Sequence, residues 1–125
     1  MIAITKEQVI SFHSELLEKT GGLLGIRDEG LLQSALVSPF QTFDGLDLFP
    51  SVIAKISRIT YGIIKNHPFA DGNKRIGVLV MLALLEWNGI PSEFTDDDLI
   101  RIGLDIANGE MSDKQLLKLI LERMR

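Results

Sequence analysis

The stretch Asn66-His-Pro-Phe-Ala-Asp-Gly-Asn-Lys-Arg75 runs directly into Ile76-Gly-Val-Leu-Val-Met-Leu-Ala-Leu-Leu85, and in the second part only Gly77 is not apolar. A helix that is apolar all round is buried on all sides. The run therefore predicts a central, buried helix, opened by Asp71 or Gly72 and closed by Asn88-Gly89. The polar cluster before it sits on the helix N-terminus. Lys74 and Arg75 are unfavourable there, because the positive end of the helix dipole repels cations. A local rule broken this openly is expected at a functional site. A phosphate held by free backbone N–H groups and flanking cations resolves the conflict.

Outward from this segment the chain reads as nearly all helix. Thr5-Lys-Glu-Gln8 is a capping box, followed by Val9, Phe12, Leu16 and Leu17 on one helical face, and Gly21-Gly22 ends that helix. Asp28 caps a short second helix that stops at Pro39. The segment Phe40–Phe49 reads as a loop or flap with a short hairpin. Pro50 fits the first turn of a third helix. Val52, Ile56, Ile59 and Ile63 repeat along that helix up to Asn66, because the residue before Pro68 disfavours helical geometry. Thr95 caps a fifth helix closed by Asn108-Gly109, and Ser112 caps a sixth. These elements predict one all-α, six-helix domain over residues 1–125.

Composition narrows the class. The 125 residues are 46% hydrophobic and 24% charged, which suits a globular domain. The absence of cysteine excludes disulfides and thiol chemistry. Two histidines far apart in sequence, His13 and His67, cannot build a His-rich metal site. A net charge of −4 argues against direct nucleic-acid binding. The longest apolar run is too short to cross a bilayer, and the N-terminus lacks an apolar leader. A soluble, cytoplasmic protein without membrane contact is expected.

The central segment carries the parts of a phosphoryl- or nucleotidyl-transfer site. His67 is the candidate general base. Asp71 is a hard oxygen ligand for Mg²⁺, which takes one or two protein carboxylates and completes its shell with water and phosphate. Gly72 permits close backbone approach and Asn73 offers an amide. Lys74 supplies a point charge and Arg75 a planar fork, both suited to phosphate. Phe69 anchors the loop. A blander reading exists for each residue: a structural histidine, an Asp71 N-cap, an ordinary Gly-Asn turn, a solvated charge pair. Their concentration at the end of a buried helix favours the functional reading. His13, on an amphipathic helix and without an evident partner, reads as structural. Asp96-Asp97-Asp98 reads as helix capping, since it lacks the glycine and terminal glutamate of a calcium loop.

His67-Pro-Phe-Ala-Asp-Gly-Asn-Lys-Arg75 resembles the active-site motif of the Fic/Doc family. Gly21-Gly22-x-x-Gly25-x-Arg27-Asp28 and Asn88-Gly89 are similar to its Doc (death-on-curing) toxin branch. Lys74 stands where Fic adenylyltransferases carry glycine, and Val78 where they carry a second arginine. The resemblance implies a Fic-like fold using ATP and Mg²⁺, with transfer of the γ-phosphoryl group rather than AMP. His67 would be the base, Asp71 the metal ligand, and Gly72, Asn73, Lys74 and Arg75 the phosphate-binding residues. It further implies a threonine hydroxyl of elongation factor Tu as target, arrest of translation, and inhibition by a separate Phd-type antitoxin.

Overall fold

The side-chain caps legible in the sequence form as hydrogen bonds in the computed structural model, which describes residues 1–125. Thr5, Thr95 and Ser112 close reciprocal capping boxes with Gln8, Asp98 and Gln115, and the Asp28 carboxylate accepts from the Leu31 N–H. Each box satisfies two backbone donors that a helix start would otherwise leave unpaired. The helices are α1 (Lys6–Thr20), α2 (Glu29–Val37), α3 (Val52–Asn66), α4 (Asn73–Trp87), α5 (Asp96–Ala107) and α6 (Asp113–Arg123). A 3₁₀ turn, Ser38–Phe40, follows α2, and a two-stranded antiparallel hairpin pairs β1 (Thr42–Phe43) with β2 (Leu46–Asp47). Asp44 and Gly45 at its tip both have positive φ, as a two-residue hairpin turn requires. Pro50 lies outside α3, not in its first turn. Ser51 is the N-cap, its hydroxyl accepting from the Ala54 N–H at 3.0 Å. Proline has no side-chain acceptor with which to cap.

Helices α3 and α4 form the centre of the fold. Their contact is close because glycine stands where a side chain would intrude. A Cβ on Gly77 would lie 2.5 Å from Cγ1 of Ile64, and one on Gly62 of α3 would meet Ala35 of α2 at 3.0 Å. Around this pair a single apolar cluster of 19 residues draws on every helix, with Ile56, Ile63, Ile76, Val80, Leu84, Ile102 and Ile120 fully enclosed. Asn88 ties the N-terminal segment down, its side chain bonding both backbone groups of Ile2.

Helix α4 is buried along Ile76, Gly77, Val80, Met81, Leu84 and Leu85, but not on every side as its composition predicts. Val78 and Leu82 are only half-buried and Leu79 is exposed. With Leu16, Leu99 and Leu104 they line an apolar groove of about 460 Å³ between α1, α4 and α5. In this fold α1 and α5 flank that stripe without closing over it. No helix is long and apolar enough to cross a membrane.

Gly77→Ala gains up to about 1 kcal/mol of helix propensity, whereas overpacking a dense core costs about 1–3 kcal/mol. At 2.5 Å the clash with the interior of the Ile64 side chain dominates. A lower urea midpoint at unchanged m-value is the expected outcome. Asp98 of α5 is bonded by Nε and Nη2 of Arg123 on α6 at 2.8 and 3.1 Å. This guanidinium, with the Thr95 N–H, holds the Asp98 carboxyl down at about 2, below its ordinary 3.8. A depressed carboxylate stabilises the fold above its unfolded pKa and loses that effect as pH falls through its folded one. Asp98→Asn is therefore expected to flatten the stability profile between about pH 4 and pH 2, checked by urea titrations across that range.

Candidate active site

Helix α3 ends at His67, which adopts left-handed backbone geometry (φ 49°, ψ 57°). This conformation is uncommon for a side chain with a Cβ. The following proline disfavours continued helix, and the chain turns over Pro68–Gly72 before α4 begins. Gly72, also left-handed (φ 77°), is the N-cap of α4 and offers no side-chain acceptor. The backbone N–H groups of Asn73, Lys74 and Arg75 consequently have no hydrogen-bond acceptor in the structure. They form a patch of donors at the positive end of the helix, the arrangement that binds anions.

The turn has no regular structure of its own, and three elements hold it. The first is Asn73: its side-chain amide accepts from the Phe69 N–H and donates to the Phe69 carbonyl, both at 3.0 Å. Asn73 is buried, so its contribution to an anion site is its backbone N–H, not the side-chain amide predicted for it. The second is His13 of α1, buried and stacked on the Phe69 ring at 3.8 Å. Its Nε2 lies 2.7 Å from the Asp71 carbonyl, and since a carbonyl only accepts, that nitrogen donates. The expectation that His13 lacks a partner is thus corrected. The partner is backbone, which residue types in a sequence do not reveal. The third is the strap Gly21–Asp28. Its Gly25 carbonyl accepts from Ala70, the N–H groups of Arg27 and Asp28 donate to the Pro68 carbonyl, and Ile26 bridges to Phe69.

Asp71 is not the N-cap of α4. Its carboxylate accepts from the Leu23 N–H at 3.2 Å and the Gly72 N–H at 2.8 Å, with Nη2 of Arg75 at 3.7 Å. The Leu23 and Gly72 N–H groups, then the Arg75 and His13 charges, hold it below the usual carboxylate range. It is ionised at neutral pH with its side chain 44% exposed. Two backbone donors leave lone pairs free on a carboxylate, so Asp71 could still ligate a metal. No group of three or more His, Cys, Asp or Glu side chains is placed to hold a metal ion.

The two cations diverge. Arg75 reaches to α1, where Nη1 donates to the Thr20 hydroxyl and to the Gly21 carbonyl. It joins the end of α1 to the start of α4 as well as flanking Asp71. Lys74 is exposed, lies with its stem across Gly103 of α5, and enters no ion pair. The His67 imidazole is exposed and makes no hydrogen bond, while its carbonyl accepts from Arg27. The structure thus gathers His67, Asp71, Gly72 and the three donor N–H groups on one turn, with Lys74 and Arg75 on either side.

Residues 3–85 match the model of the Fic/DOC family. A protein named Toxin Doc from Mycolicibacterium smegmatis is 36% identical over 70 residues, which cover 56% of this chain and 54% of that one. The chain thus matches about half the length of that relative. A protein named Protein kinase doc, from Escherichia phage P1, is 26% identical over 109 residues, 87% of this chain and 85% of that one.

Asn73→Ala leaves the buried N–H and carbonyl of Phe69 without partners. A cost of about 1–3 kcal/mol for each such group is expected, read as a lower urea midpoint together with faster hydrogen exchange at the Phe69 amide.

Proposed function

The chain belongs to the Fic/DOC family, in its Doc branch, and from that membership we propose that it is a toxin kinase. It would transfer the γ-phosphoryl group of ATP to a threonine hydroxyl of elongation factor Tu, halting translation in the cytoplasm. The observation that carries this reading is the α3–α4 turn. There three unpaired N–H donors, an ionised carboxylate and an unpartnered imidazole share one short segment.

In this reading His67 takes the proton of the target hydroxyl as its oxygen bonds to the γ-phosphorus. The bond from that phosphorus to the bridging oxygen breaks, and ADP leaves with the electron pair. The backbone N–H groups of Asn73, Lys74 and Arg75 hold phosphate oxygens, and their fixed orientation stabilises the charge that develops in the transition state. The Lys74 ammonium, free of any carboxylate, adds a cation on the α5 side. Arg75 adds one on the α1 side, beyond what it gives to Thr20 and Gly21. Asp71 would hold Mg²⁺, which when bound neutralises phosphate charge.

The hairpin supports a role in positioning the target segment. It is short and carries exposed Phe43 and Leu46, apolar groups available to an extended peptide. The open groove beside α4 supports an antitoxin partner. An amphipathic helix of a Phd-type antitoxin would cover Val78, Leu79 and Leu82 within reach of the Lys74 and Arg75 positions.

Incubation with elongation factor Tu and ATP labelled at the γ-position is expected to label the target, whereas ATP labelled at the α-position is not. His67→Ala is expected to lower the rate by about 100- to 10,000-fold. Transfer of α-label alone would replace phosphorylation by AMP transfer. Unchanged toxicity of His67→Ala in cells would point to a non-catalytic docking module.

A further inference from the structure

We propose that Arg27 is a positioning residue that fixes the backbone of His67 and thereby the point and direction from which its imidazole leaves the chain. The inference rests on the reading of His67 as general base. The guanidinium of Arg27 donates from Nε to the His67 carbonyl at 2.7 Å and from Nη2 to the Asn66 carbonyl at 2.9 Å. The next carbonyl in the chain, that of Pro68, accepts from the backbone N–H groups of Arg27 and Asp28 at 2.7 and 3.0 Å. Three consecutive carbonyls around the proposed base are thus held by two adjacent residues of one strap.

This grip falls on the one place where the turn is strained. His67 has φ 49°, a conformation that a residue with a Cβ holds only when its surroundings over-determine it. Nothing holds the imidazole, which is exposed and unbonded. The backbone fixes the direction in which its Cα–Cβ bond leaves the chain, and the direct clamp on the His67 carbonyl is Arg27. The clamp suits the position chemically. The last carbonyls of α3 lack intrahelical donors and carry the negative end of the helix dipole. A planar cation with a fixed fork meets two of them at once. The strap is itself anchored, since Asp28 is the N-cap of α2 and the Leu23 N–H bonds the Asp71 carboxylate. Base and carboxylate are therefore set by the same eight residues, Gly21–Asp28.

The test compares wild type, Arg27→Met and Arg27→Lys. Met keeps the stem and removes every donor; Lys restores a single cationic donor. The first readout needs no activity: the backbone carbon shifts of His67, which report its left-handed conformation, and relaxation across residues 66–70, with circular dichroism confirming an intact helical fold. The second is the split between kcat and KM in γ-phosphoryl transfer. Arg27→Met is expected to lose the left-handed signature at His67. Its kcat should fall about 100-fold, the scale of a displacement of about 1 Å at a reacting group, with KM for ATP nearly unchanged and partial recovery in Arg27→Lys. Retention of the His67 signature in Arg27→Met overturns the inference, as does loss of the signature without a fall in kcat. Loss of the signature in Arg27→Met, where wild type itself transfers no phosphate, supports the clamp and defeats the kinase reading instead.

Discussion

The rest of the molecule depends on how the turn between α3 and α4 is held. It has no ladder of hydrogen bonds to fix it, and it joins two buried helices at their most polar ends. Its order is borrowed from side chains and backbone elsewhere: the Asn73 amide on Phe69, the His13 ring on Phe69 and Asp71, and the strap Gly21–Asp28 on Pro68, Ala70 and Asp71. A polar group buried without a partner costs free energy comparable to a lost hydrogen bond. Such a turn is stable only when these partners arrive together. That requirement places the end of α1 and the start of α2 beside the site, although neither belongs to the motif.

The packing of α3 on α4 sets the electrostatics. Glycine at position 77 lets the two helices approach closely. The negative end of α3 and the positive end of α4 then lie on opposite sides of one short turn. Each end is met by its complement: the Arg27 cation at the carbonyls of α3, the Asp71 carboxylate at the N–H of Gly72, the N-cap of α4. What remains unpaired is a group of three N–H donors and the exposed Lys74 ammonium, with Arg75 beside them bonded to Thr20 and Gly21 and flanking Asp71. This local excess of positive charge sits on a chain whose net charge is −4, so anion binding would be confined to one spot. In the proposed reading a bound phosphate would answer the conflict posed by Lys74 and Arg75 at a helix N-terminus. Arg75 is stabilised there partly by the Thr20 hydroxyl and the Gly21 carbonyl, acceptors at the opposite end of α1.

Much of this was legible in the sequence because its causes are local. Capping boxes at Thr5, Thr95 and Ser112, the Asp28 cap and the helix stops at glycine act within four residues, and each formed where the pattern placed it; the short hairpin fell within Phe40–Phe49, its turn residues unassigned by the sequence. The motif at His67–Arg75 was legible as a set of residue types. Its internal division of labour was not, because that depends on partners far away along the chain. Asn73 turned inward because Phe69 needed its backbone groups paired. His13 acquired a partner 58 residues away, and Arg27 one 40 residues away. Gly21-Gly22-x-x-Gly25-x-Arg27 carried the family resemblance, but its place as a strap lay in the carbonyls it meets. The open stripe of α4 was hidden for another reason: an apolar composition states what a helix would bury, not how many neighbours it has.

Titration of the uniformly ¹⁵N-labelled protein with Mg²⁺ and ATP, followed by amide spectra, tests the central claim most directly. Donation of three N–H groups to phosphate oxygens predicts saturable shifts that are largest at Asn73, Lys74 and Arg75. Saturable shifts that leave those three amides in place, or no shift anywhere at millimolar nucleotide, would contradict it.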